Sequence, residues 1–151
     1  MTPVRCQRGV VAVEAALLIA MSLVLLPMLL YLGRLTMHAI VLDKAVYGAA
    51  SIVAALPAET HAAAGAATTL RAFALDYIDQ AAREAGLDTL PPPAMTNVLC
   101  DGFSCGGGRP GTVTVNTRTT FQNTYFDSSA DFGIELADLQ LSLAYTVSYV
   151  P

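Results

Sequence analysis

The sequence predicts an α+β protein: a long N-terminal membrane and pilin-like helix, a second helix, and a small antiparallel sheet in an exported head. Three observations carry this. No charged residue occurs from Ala15 to Gly33, an apolar run of bilayer length. Helical spacing of apolar residues continues beyond that run and recurs in a second segment. After Pro91-Pro92-Pro93 the apolar period changes to two, the period of strands.

Composition agrees with one greasy segment joined to a polar domain. Hydrophobic residues make up 54% and charged residues 13% of 151, too apolar for an ordinary soluble domain and too polar for a polytopic one. Mean hydropathy is +0.53. Net charge is -4 and the basic residues are scattered singly, so the chain lacks the electrostatic footprint of a nucleic-acid binder.

The first element is the span, residues 10–33. Counted from Val10, it has the roughly 20 residues a transmembrane helix needs, more than the roughly 7–15 of a cleaved secretory core. It reads as a retained anchor. The leader, residues 1–9, carries Arg5 and Arg8 and no acid, whereas Arg34, Asp43 and Lys44 beyond the span nearly cancel. Positive-inside bias therefore keeps the leader in the cytoplasm and places residues 34–151 outside. Pro27 removes one hydrogen bond within the span, a mild kink or a point where the helix unwinds during assembly.

Glu14 puts a carboxylate near the cytoplasmic edge of this span. A charge there either reaches the headgroup layer or has a partner. Gly9 stands five positions earlier, directly after the basic leader. A cut after Gly9 would give Val10 a new ammonium group, and Glu14 of a neighbouring subunit could pair with it in apolar surroundings.

The run Arg8-Gly9-Val10-Val11-Ala12-Val13-Glu14 resembles the class III signal of type IV pilins and pseudopilins, and most of all the TadE/TadG-like minor pilins of tight-adherence (Tad/Flp) systems. The resemblance covers Arg5 to about Ala55, with an echo in the last strand. It implies that a prepilin peptidase cuts between Gly9 and Val10, that Glu14 serves assembly, and that the protein sits in the bacterial inner membrane or enters a pilus. Its partners would be other pilin subunits, the assembly platform and membrane lipid. Val10 stands where many pseudopilins have Phe, Ala15 where major Flp pilins have Tyr, and Pro27 is later than usual. These departures point to a minor component. The alternative is a single-span protein with a periplasmic binding head and no processing.

Leu35, Ala39, Leu42, Val46, Ala49, Val53 and Leu56 continue one stripe of helix, residues 34–56, until Pro57 stops it. The stripe must lie on its own domain or on a neighbouring subunit. Residues 59–86 form the second helix, with Thr60 as cap, Leu70, Phe73, Tyr77 and Ala81 on one face, and Gly86 closing it. The alanines around Gly65 mark close helix contact or an exposed helix-forming segment. Pro91-Pro92-Pro93 makes a stiff linker.

Residues 95–99, 112–121 and 139–149 read as strands. Val113, Val115, Thr117, Thr119 and Phe121 share one side of the second, and Leu139, Leu141, Leu143, Tyr145, Val147 and Tyr149 one side of the third. The connection from Gln122 to Asp138 is unassigned. Two helices covering one face of a short sheet is the expected architecture.

Of three cysteines, Cys6 lies in the leader and would leave with it. Cys100 and Cys105 remain, both exported, and an oxidising periplasm favours their pairing. A metal site is the rival, and two thiols with no histidine close in sequence make a poor zinc cage, so no metal and no cofactor is expected. His38 and His61 read as surface or packing residues. Gly106 to Gly111 is glycine-rich without the Lys-Ser/Thr ending of a phosphate loop. Asp79 and Arg83 form an i,i+4 pair on a solvated face that includes Asp76. No constellation of nucleophile, base or paired carboxylates supports catalysis, so the expected role is protein association rather than an enzyme.

Overall fold

The computed structural model describes residues 7–87, 95–121 and 139–150. The leader up to Cys6, the proline linker and the Gln122–Asp138 connection lie outside these residues. The chain divides into two units, Met1–Thr36 and Met37–Pro151, described separately below.

α1 spans Gln7–Ala54, 48 residues. It starts three residues before the Val10 expected from the sequence, so Gly9 and Val10 lie in its first turns. Pro27 stands inside it. In the first unit the helix is almost wholly exposed from Val11 to Leu30. An apolar helix with no buried face is the pattern of a segment whose solvent is not water.

In the second unit the picture inverts. Leu42, Ala45, Val46, Ala49, Ala50, Val53 and Ala54 are buried, so the expected stripe packs within its own domain. α1 ends at Ala54, with Leu56 N–H bonded to Val53 O, ahead of Pro57. A residue before proline is pushed away from helical geometry, which sets this boundary.

The second expected helix is in fact two. α2 is Ala58–Ala62 and α3 is Ala66–Glu84. Ala63 is extended and Gly65 is left-handed, at φ 83°. The Gly65 carbonyl then accepts the Thr68 and Thr69 N–H groups to start α3. The alanines favour helix, yet a single glycine free to adopt φ > 0 is enough to break it. Thr60 is not the cap: Pro57 precedes α2 and Gly65 precedes α3.

The buried face of α3 also differs from expectation. It is Ala66, Leu70, Ala74, Ile78 and Ala82, steps of four. Phe73 is 42% exposed, and Tyr77 and Ala81 lie half-buried at the margin. Small residues let α3 approach its neighbours closely, and the aromatic rings are displaced to the rim.

The end of α3 is as expected. Gly86 has φ 68°, its N–H bonds Arg83 O, and Leu87 N–H bonds Ala82 O. This is the Schellman arrangement, completed by the burial of both Leu87 and Ala82.

The sheet is antiparallel, in the order β2-β1-β3-β4. β1 is Thr96–Cys100, β2 Phe103–Ser104, β3 Thr112–Phe121 and β4 Leu139–Ser148. β3 matches its expected bounds, while β1 and β4 match to within one residue. β2 was not expected. Val113, Val115, Thr117, Thr119 and Phe121 all face inward. On the same face Leu143, Tyr145 and Val147 pack against the core. The buried residues of α1, α3, β1 and β3 form one cluster. Each fully buried Leu, Ile or Val there contributes about 1.5–3 kcal/mol.

Candidate functional site

Two regions carry chemistry that the fold does not use up. The first is the exposed part of α1. Val11, Val13, Leu17, Leu18, Ile19 and Leu23 are all more than half exposed. Glu14 stands exposed among them, the one acid before Asp43. Val10 and Glu14 are four residues apart in α1, a rise of about 6 Å.

The second region surrounds the disulfide. Cys100 and Cys105 are bonded, their Cα atoms 4.9 Å apart. They close a hairpin in which Cys100 pairs with Phe103 and Leu99 with Ser104. The turn between the strands is Asp101-Gly102, with φ of 52° and 83°. Two successive positive φ values are the signature of the tight hairpin turn for which Asp-Gly is favoured. That dipeptide was the available signal for β2, and reading the loop only as a disulfide closure passed it by.

Asp101 also holds the far side of the glycine-rich loop. Its carboxylate accepts the Gly111 N–H at 3.0 Å and the Thr112 N–H at 2.8 Å, together with the Thr112 hydroxyl at 3.1 Å. The Gly111 bond, then the Thr112 bonds, hold the carboxyl below the usual carboxylate range. The 106–111 segment is thus a tied loop, with its amide groups turned inward to a carboxylate.

His61 is the residue that spacing did not connect to this region. It is fully buried in α2. Its Nε2 lies 3.1 Å from the Val53 carbonyl, one of the free acceptors at the end of α1. A carbonyl only accepts, so Nε2 carries the proton, and Nδ1 of the neutral ring is the bare nitrogen. Nδ1 lies 3.8 Å from Cys100 Sγ. The expectation of two thiols without a histidine is therefore corrected: His61, Cys100 and Cys105 place their ligand atoms within 4.8 Å of one another. The Tyr149 ring meets His61 edge-on at 5.5 Å, and the Arg109 guanidinium lies 5.3 Å from that ring's centre.

His38 is also a packing residue, buried and edge-on to Phe121 at 4.9 Å. Arg83 and Asp79 form the expected pair at 2.6 Å on an exposed face, where such pairs contribute little. No protein-family model matches the chain, and no curated protein or solved structure matches it either.

Proposed function

We propose that the chain is a minor pilin, or pseudopilin, of a tight-adherence type pilus, acting by protein association through α1. In this reading residues 10–33 anchor it in a bacterial inner membrane with the leader cytoplasmic and the head periplasmic. A prepilin peptidase cuts between Gly9 and Val10, and Glu14 pairs with the Val10 ammonium of a neighbouring subunit.

One observation carries the reading: a long helix, apolar and exposed along its first part, holds a single carboxylate five positions after a glycine and a basic leader. Only 6% of its most apolar window is buried within the chain, so lipid or other subunits must cover the rest. The carboxylate is costly against lipid and is better placed against a cation on a neighbour.

The test is the intact mass of protein extracted from membranes of cells with an active prepilin peptidase. Loss of residues 1–9 is expected, and Gly9→Val should block it. An uncut chain would favour the single-span protein with a periplasmic binding head and remove the pilin reading.

A further inference from the structure

We propose that Cys100 Sγ, Cys105 Sγ and His61 Nδ1 form a redox-gated site for a thiophilic d10 cation such as Zn(II), closed while the disulfide stands and open on reduction. Three features of different origin meet there. The cysteines have four residues between them, within the spacing common to pairs that chelate one zinc. The His61 tautomer is set by its bond to Val53 O, which leaves Nδ1 as a lone pair aimed at sulfur. An imidazole that donates its other N–H to a backbone carbonyl is the usual arrangement of a metal-bound histidine. Third, a disulfide sulfur has no proton to give, so the buried Nδ1 accepts no hydrogen bond from the sulfur it faces.

The distances suit a cation. Tetrahedral zinc with Zn–S of about 2.3 Å and Zn–N of about 2.0–2.1 Å separates its ligand atoms by about 3.6–3.8 Å. Nδ1 is already 3.8 Å from Cys100 Sγ. Only the two sulfurs must part. They lie on a two-strand hairpin closed by Asp101-Gly102, with Gly106 directly after Cys105. Three protein ligands leave one position for water or an external ligand. Packing alone accounts for His61 as a cap on α1, but it does not require the ring's bare nitrogen to face the sulfurs.

The chemistry balances. A phosphine reductant takes one oxygen from water and supplies two electrons, and that water's two protons complete the two thiols. Zn(II) then displaces both thiol protons, while the neutral imidazole gives none.

The full chain in detergent micelles, in a Cys6→Ser background, is titrated with Zn(II) against a chromophoric chelator before and after phosphine reduction. One equivalent is expected to bind the reduced chain and none the oxidised chain. His61→Gln should weaken binding at least about tenfold. Because His61 is buried and its variant can disturb folding, X-ray absorption on the unsubstituted zinc-loaded site provides an independent reading. It should show two sulfur neighbours and one imidazole. Equal binding by both redox states, no binding by the reduced chain, or a zinc shell lacking sulfur or imidazole would overturn the site.

Discussion

Tyr145 in β4 donates its hydroxyl proton to Oδ1 of Asp43 in α1, a bond between residues 102 positions apart. The Tyr145 ring also meets Tyr47 edge-on at 5.6 Å. The bond to Asp43, then burial, then the carboxylate's charge push the Tyr145 hydroxyl above the ordinary tyrosine range. The unfolded chain therefore gives up this proton first. Its contribution to stability is complete below the ordinary tyrosine value and is lost as pH rises toward and through the raised one. Denaturation midpoints followed from about pH 8 to about pH 11.5 should fall in the native protein. They should fall less steeply in Tyr145→Phe.

Thr96 and Thr117 are partners across β1 and β3, both buried, with their hydroxyls 2.8 Å apart. Thr117→Val strands the Thr96 hydroxyl and should cost about 1–3 kcal/mol. Replacing both by Val should recover most of that loss, because neither hydroxyl is then left without a partner. Urea midpoints of the two singles and the double decide it, and an additive double would mean that the bond contributes nothing.

Gly48 lets α1 pass close to Tyr77 of α3. A Cβ there would lie 2.7 Å from the Tyr77 hydroxyl oxygen and 2.9 Å from a ring carbon. Gly48→Ala should destabilise by about 1–3 kcal/mol through overpacking, partly offset by about 0.8–1.0 kcal/mol of helix propensity. With Tyr77→Ala in the background, the same substitution should become neutral or stabilising. Thermal melts of the four variants measure that reversal.

Glu14→Leu should leave membrane insertion intact or improved, since it removes a charge from the apolar part of α1. Cleavage after Gly9 should largely survive, and association of processed subunits should drop. Glu14→Asp should fall between, with the charge but a shorter reach. Co-purification from crosslinked membranes reads this out, and normal association by Glu14→Leu would leave Glu14 as a headgroup-facing residue only.

What could be read from the sequence follows the length and regularity of each pattern. β3 was legible to the residue because inward Val, Thr and Phe alternate without interruption from Val113 to Phe121. The α1 stripe was legible for the same reason at helical period. The break at Gly65 was hidden among alanines, which favour helix whatever the glycine does. The α3 face was misplaced because Phe73 and Tyr77 weigh more in a hydrophobic pattern than Ala74 and Ala82, although close packing selects the small ones. The disulfide was legible from compartment and spacing. His61 was not, because 39 residues separate it from Cys100 and only the turn at Gly65 and the end of α1 bring them together. The apolar run and Glu14 were plain at once, since each is local.

The 102 residues between Asp43 and Tyr145 also measure time. At synthesis rates of about 5–20 residues per second, β4 follows the middle of α1 by roughly 5–20 s. Helical turns form in under a microsecond, so α1 is ready long before its sheet exists. For those seconds Leu42, Val46 and Val53 have no strand to lie on, and Val53 O awaits His61. Whatever shields this stripe during the wait, a holding chaperone or the membrane itself, acts before any native contact with β4 can form. Substitutions that only delay β4 should then reduce yield without changing the stability of the molecules that fold.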